Sequence, residues 1–487
     1  MVNITQNDYD VIRQPFQTRY LKLDVLDFEF RVVDEISGYC TDSTFNIDAN
    51  SDLRRSCNVS LVVYGANAKK LNIDNTSEIF LDKYIQPYVG IENFRTGEIQ
   101  WYNQGIYLIN RPTWDWDAQT NTLKFDGMDL MSKLTGARNG QLEGIPTVIK
   151  AGENVRQAMI GALALGGFNR YIISECQNTD GAIQPVPNDI TINQGGTIYN
   201  ILSELRNILP SYQIYFDVNG VFHYEPIPSG ANEQIILDDN MLNDILTSES
   251  VNTDFTTVKN YIEVYGRSHD VSYYSSTFEN SNGAIKLTLA ELEEYAANTL
   301  IGFTTTTAVN GNITINVNNL GDRNLVDSSG NIVTSLENGV YYVASYQQNN
   351  TWLFLGHQQA RGIAYDNNPQ SPFYVDGPVG RIRYVCYGGD YDNIQSDELA
   401  QQRAEYELYL RARLQDSISL YIIPIPWLDV NMLIRHIAKD DTEAKEYMIQ
   451  HISYSMGVGN TMTITANQYY PLYNNIIDSG GSNRGNG

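Results

Sequence analysis

Positive charge is scarce in this chain. Its 487 residues carry 32 Lys+Arg against 57 Asp+Glu, a formal net charge of −25. A conventional nucleic-acid binder needs cations to displace phosphate counterions, so that class is excluded. Long apolar runs are missing too. The longest candidate, 158–168, is interrupted by Gly161, Gly166 and Gly167 and falls short of the roughly 20 residues of a membrane helix. The opening Met1-Val2-Asn3-Ile4-Thr5 has neither a basic nor an apolar region, so no secretory signal is expected. Cysteine is limited to Cys40, Cys57, Cys176 and Cys386, with no C-x-x-C pair. That removes zinc ribbons and thioredoxin-type sites. Cys40 and Cys57 could meet across strands, but free buried thiols in a chain made in a cytoplasm fit better.

Catalytic signatures are absent as well. The sequence has no G-x-S-x-G elbow, no H-E-x-x-H, no Walker A loop and no G-x-G-x-x-G. No two of its five histidines lie at helical i, i+4 spacing. Asp48-Ala49-Asn50-Ser51-Asp52 resembles the start of a calcium loop, but Leu53 and Val59 stand where Gly and Glu are needed. No cofactor, no metal and no catalytic residue is expected.

What is present is mostly β. Stretches of alternating or β-branched residues mark strands at 58–64, 99–102, 106–109 and 122–125. The period then lengthens. Val155, Met159, Ala162 and Leu163 share one helical face, opened by Glu153 and stopped by Gly166-Gly167. Thr197 caps a second helix that Pro210 ends, and a hairpin turns at Asp217-Val218-Asn219-Gly220. Residues 145–230 thus form an α/β unit. Residues 270–375 read as an insertion. There Thr288-Leu289-Ala290-Glu291 predicts a helix to about 298, Asn310-Gly311 and Asn338-Gly339 predict hairpin turns, and 341–346 and 351–355 predict paired strands. Ser396 caps a long helix, and strands follow at 418–423, 447–454 and 462–465. Asn260–Gly266 echoes Asn58–Gly65, each a strand ending in Tyr-Gly.

Two small clusters stand out. Arg54-Arg55 precedes a strand in a chain poor in cations, and such a pair suits carboxylates across a subunit interface. Trp114 and Trp116, interleaved with Asp115 and Asp117, suit either a sugar-binding cleft or a turn packed on neighbouring strands. A carbohydrate-binding adhesin or a cell-wall glycoside hydrolase therefore stays open as an alternative function.

Five segments, in this order, carry a family resemblance: Asp52-Leu53-Arg54-Arg55-Ser56; Gly97-Glu98-Ile99-Gln100-Trp101-Tyr102 with Gly105-Ile106-Tyr107; the helix–hairpin from Thr197 to Pro228; Val258–Gly266; and Ile425-Pro426-Trp427-Leu428-Asp429. Together they resemble the tail hub (baseplate hub) proteins of tailed bacteriophages. The resemblance implies a mainly β fold with α+β parts: two tail-tube-like β-barrel or sandwich domains plus an α/β domain and a β-rich insertion. It divides the chain into 1–140, a tube-like domain; 141–235, the α/β domain; 236–270 with 376–475, a second tube-like domain; 271–375, the insertion; and 476–487, a flexible tail. It also implies a structural homotrimer of the virion, assembled in the host cytoplasm. Its partners would be a tail tube or distal tail protein, a tip, spike or fibre protein and a tape measure protein. Genomic DNA would pass through without specific binding, and an acidic lumen would repel its phosphates.

Overall fold

The structure is a computed structural model. It describes residues 4–470 except 38, 41–42, 63–79, 117–120, 145, 178–180, 182, 188, 210, 231–232, 290, 439–441 and 458. The expected end of the strand at Tyr64-Gly65, the stop at Pro210 and the tail 476–487 lie outside these residues.

Eight strands organise the molecule: β1 (Thr44–Asp48), β2 (Arg55–Val62), β3 (Tyr107–Trp116), β4 (Asn121–Asp129), β5 (Leu246–Asp254), β6 (Gln415–Ile422), β7 (Lys445–Ser455) and β8 (Met462–Gln468). They lie side by side in the order β5-β6-β8-β7-β1-β2-β4-β3 within a 15-stranded sheet. Every neighbouring pair among the eight is antiparallel. Alternation makes the strands two-faced, most clearly in β1, β6 and β8. In β6, Ile418, Leu420 and Ile422 are buried, while Ser417, Ser419 and Tyr421 point the other way. In β8, Met462, Ile464 and Ala466 are buried between Thr463, Thr465 and Asn467.

The order contains a repeat. Taken by rank along the chain, β1-β2-β4-β3 reads 1-2-4-3, and β5-β6-β8-β7 reads 1-2-4-3 again. The two blocks are joined edge to edge where β7 pairs with β1, from His451 opposite Asp48 to Ser455 opposite Thr44. One apolar core backs both blocks. It includes Phe45, Val59 and Phe125 from the first, Ile418, Ile449 and Ile464 from the second, and Trp427.

The remaining pieces pack around this sheet. Helices Val155–Leu165 and Ile198–Asn207 and a three-stranded sheet share a second core with Leu26, Leu108 and Leu130. Asn154, not Glu153, caps the first helix, its side chain accepting from Gln157 N. Leu130–Lys133 form a 3-10 turn. Residues 273–357 form an eight-stranded sheet around Trp352, with Tyr341–Tyr346 and Trp352–His357 paired as expected. The predicted helix at 288–298 does not form among the described residues. Asn318 takes the backbone instead: its Oδ1 accepts from Leu289 N at 2.9 Å, and its Nδ2 donates to the carbonyls of Leu289 and Leu292. Asn310 likewise pairs with Ser335 in a short ladder rather than turning a hairpin. No helix among the described residues is long and apolar enough to cross a membrane.

Strand Tyr261–Ser268 departs from the sequence reading. The expected division groups it with the second tube-like domain, and its Tyr-Gly ending suggests a counterpart of β2. Its hydrogen bonds go to Gln359–Tyr365 and Arg383–Cys386, in a separate three-stranded sheet under helix Asp397–Arg411. By position, the counterpart of β2 is β6. Gly362 is what lets the helix sit down on this sheet. A Cβ there would lie 2.3 Å from the backbone of Ala400 and Gln401. Backbone cannot swing aside as a side chain can, so Gly362→Ala is expected to cost about 1–3 kcal/mol or more, measured by urea unfolding. An unchanged midpoint would show that the helix is free to shift.

Candidate functional site: a polar sheet face and its buried arginine joint

The core covers one face of the eight strands, except at β5, where only Leu246 packs partly against it. The other face is rich in Ser, Thr and Asn side chains, traced by direct cross-strand partners. Ser250 lies opposite Ser419, which lies opposite Thr465, which lies opposite His451. Across the β7–β1 junction, Ser453 faces Asn46, which faces Ser56. Ser453 Oγ donates to Asn46 Oδ1 at 2.7 Å. Beyond them Asn58 faces Asp126, its Nδ2 donating to Asp126 Oδ1 at 2.8 Å.

Charges on this face are few. Among its paired positions are the carboxylates Asp48, Asp115, Asp126 and Asp254 and the cation Lys124. Lys124 is already held by Asp115 at 3.0 Å. No arginine occupies these paired positions among the described residues. The large negative charge of the chain therefore lies mostly elsewhere.

Two edges of this block are open. β5 has β6 on one side and no strand on the other among the described residues. β3 is partnered on its outer side only at Tyr107 and Leu108, leaving its far half bound to β4 alone. Trp114 and Trp116 lie on that far half. Trp114 packs partly against the core, whereas Trp116 is 71% exposed. The turn predicted around them is an extension of strand through Trp116, and 117–120 lie outside the described residues.

Arg54 and Arg55 correct the sequence reading more sharply. They do not present themselves to another subunit: their exposures are 5% and 3%. Each instead holds a distant part of the same chain. Arg55 Nη2 donates to Asp429 in an ion pair between the two strand blocks. Arg54 Nη2 donates to Gln213 Oε1 at 2.6 Å, and its guanidinium lies 3.8 Å from the centre of the Tyr215 ring. Asn431 Nδ2 donates to the same Gln213 oxygen at 2.7 Å. Gln104 completes the joint. Its Nε2 donates to Pro426 O at 3.0 Å, and its Oε1 accepts from Tyr454 OH. Both strand blocks and the α/β hairpin thus meet on two arginines. Asp129 lies in the same buried region. Burial raises its pKa to about 6, against the pull of the Met131 N–H and of Arg55 and Arg54. Sequence scarcity singled out the arginine pair; Asp429, Gln213 and Gln104 carried no local signal.

His223 adds a titrating group to this joint. Its ring stacks on Tyr215 with centroids 4.9 Å apart, and it lies 3.5 Å from Asp217 and 3.3 Å from Glu225. Burial lowers its pKa, but the hydrogen bonds to the two carboxylates outweigh that and raise it to about 9. The folded value exceeds the ordinary 6.5, so the stabilisation is complete below that pH and fades as pH rises through about 9. His223→Gln is expected to flatten the pH dependence of the unfolding midpoint across this window. A slope equal to the parent's would contradict the assignment.

Buried Cys57, Cys176 and Cys386 are free thiols, and no cluster of metal-ligating side chains occurs among the described residues.

The 43 kDa tail protein of prophage MuSo2 from Shewanella oneidensis superposes with a TM-score of 0.50 at 11% identity, covering 92% of this chain and 98% of that one. The chain has the fold of a phage tail protein. A tail protein from Neisseria meningitidis MC58 gives a TM-score of 0.49 at 9% identity, covering 92% of this chain and 96% of that one. Prophage tail protein gp18 from Listeria monocytogenes EGD-e gives 0.43 at 11%, covering 92% and 94%. A family model described as Domain of unknown function (DUF5048) matches residues 370–473. No curated protein matches the chain.

Proposed function

We propose that three copies of this chain form the hub of a phage tail tip or baseplate. The ring joins the hexameric tail tube to a threefold tip and encloses part of the DNA passage. The observation that carries this reading is the repeated 1-2-4-3 strand order with one internal junction and two open edges. Strand direction alternates across the whole block. β3 of one copy can therefore meet β5 of the next in the antiparallel sense in which β7 meets β1. Eight strands per chain then close into twenty-four, with six blocks to match a sixfold tube. Exposed Trp116 at one open edge and Val251, 46% exposed, on the strand at the other supply apolar surface for that contact.

The polar face becomes the lumen wall. DNA slides along it because hydroxyl and amide groups dominate and the cation Lys124 is already held by Asp115, leaving little to trade for phosphate counterions. Asp48, Asp115, Asp126 and Asp254 against Lys124 leave the face modestly acidic, which adds repulsion of the phosphates. On this reading the protein acts by shape and surface, without catalysis or cofactor. A tail tube or distal tail protein binds one side, a tip, spike or fibre protein the other, and the tape measure protein ends near the ring.

The test is to mix the purified chain with tail tubes assembled from the same phage and image them by electron microscopy. Rings with threefold symmetry capping one tube end are expected. Tubes that stay uncapped would contradict the proposal.

A further inference from the structure

Strands Gln359–Tyr365, Tyr261–Ser268 and Arg383–Cys386 form a sheet whose inner face packs under helix Asp397–Arg411. Its outer face gathers cations in a chain that has few. The alternation that puts Ile262, Val264 and Gly362 beneath the helix puts Arg361, Arg383, Tyr261, Tyr265 and Tyr365 on the other side. Arg381 joins them, its guanidinium 4.4 Å from the centre of the Tyr261 ring. Tyr261 in turn stacks on Tyr365, with centroids 5.7 Å apart. Glu263 is the one carboxylate at the paired positions of this face, and it is engaged internally: 6% exposed, it accepts from Arg383 and from Tyr265 OH. Arg361 and Arg381 have no ion-pair partner among the described residues.

The two edges of this sheet differ. Helix side chains close the first: Asp397 Oδ1 accepts from Arg361 N at 2.8 Å, and Gln401 Oε1 accepts from Ile363 N at 3.0 Å. The other edge, Arg383–Cys386, has no further strand beside it among the described residues. Tyr261 N donates to Ile382 O at 3.2 Å, so in this parallel ladder residues 382, 384 and 386 turn their backbone groups to the central strand. The N–H and C=O groups of Arg383 and Val385 then point to the open edge, a ready template for another strand.

We propose that this edge binds an acidic, extended segment of a partner protein. The segment adds a fourth strand beside Arg383–Cys386 and sets carboxylates at alternate positions against Arg381 and Arg383, with Arg361 adding to the positive field. The backbone ladder selects a polypeptide over a nucleic acid, which has no row of N–H and C=O groups to match it. The guanidinium forks select carboxylates at those positions. One chain contains the whole surface, so the proposal is independent of ring assembly.

The experiment titrates the full chain with a capped peptide of about eight residues alternating Glu and Thr. A peptide alternating Lys and Thr and an oligothymidylate of similar length serve as controls. The Glu peptide is expected to bind saturably and to weaken as salt is raised, and the controls are not expected to bind. Amide hydrogen exchange across 381–387 should slow at least about tenfold when the Glu peptide is bound, because the outward N–H groups acquire partners. Arg381→Glu, on an exposed side chain, should weaken binding at least about tenfold with its Tm unchanged. The proposal is overturned if the Glu peptide does not bind saturably, if either control binds as well as it does, if Arg381→Glu binds as the parent does, or if exchange across 381–387 is the same with and without peptide.

Discussion

Arg55→Ala is expected to lower the unfolding free energy by about 3–5 kcal/mol. The guanidinium is almost wholly buried and reaches Asp429 across the junction of the two strand blocks. Removing it strands Asp429 and leaves buried Asp129 without one of the two cations that lower its pKa. The cost is therefore the desolvation of uncompensated charge, which exceeds the worth of the pair itself. The pH response separates this mechanism from simple loss of packing. Burial sets the folded pKa of Asp129 at about 6, above the ordinary 3.8. Its contribution is full below the lower value and is lost as pH rises through the upper one. Without Arg55 the upper value climbs, so the variant should keep losing stability at pH values where the parent has levelled off. Urea titrations at several pH values read both effects. A loss below about 1 kcal/mol, the range of a surface ion pair, would mean that Arg55 does not hold the blocks together.

The second large effect concerns the polar face. Asn46, Ser56 and Ser453 are direct neighbours across the β7–β1–β2 junction and lie on the side away from the core. Asn46→Arg, Ser56→Arg and Ser453→Arg together add three cations per chain and nine per trimer. Cations on a wall that DNA must pass form salt-dependent phosphate contacts, each contributing a slope of about −0.9 in log affinity against log salt. Particles carrying the triple variant should assemble yet release DNA at least about tenfold more slowly at low salt, with the rate recovering as salt is raised. The matching Gln triple, similar in reach but uncharged, should behave as the parent. Equal release by both variants at every salt concentration would remove the face from the DNA path.

Much of the local structure was legible in the sequence. Alternation in β6 and β8, the helix carrying Met159 and Leu163, and the hairpin at Asp217–Gly220 follow from side-chain period and turn chemistry alone. What escaped is non-local. The repeated strand order depends on β7 meeting β1 about four hundred residues away in the chain. No window of sequence contains that pairing, and the Tyr-Gly echo pointed to Tyr261–Ser268, which sits in another sheet. The capping signal at Thr288 was outcompeted by Asn318, a tertiary partner that claims the carbonyls of Leu289 and Leu292. Scarcity of cations marked Arg54 and Arg55 correctly, but whether a charge is buried depends on what folds over it. Here that was Asp429 and Gln213. The net charge is silent in the same way: a total of −25 says nothing of which face bears it, and the paired positions of the sheet face carry Asp48, Asp115, Asp126 and Asp254 against Lys124.

The central claim is that the open edges at β3 and β5 close against neighbouring copies. The most direct measurement is the native mass of the purified chain beside that of Val251→Lys, which places a charge on edge strand β5. The parent is expected at three times its 54.9 kDa, and the variant at the mass of a single chain with its fold retained. A parent that stays monomeric at all concentrations, alone and with its tail partners, would contradict the hub assignment.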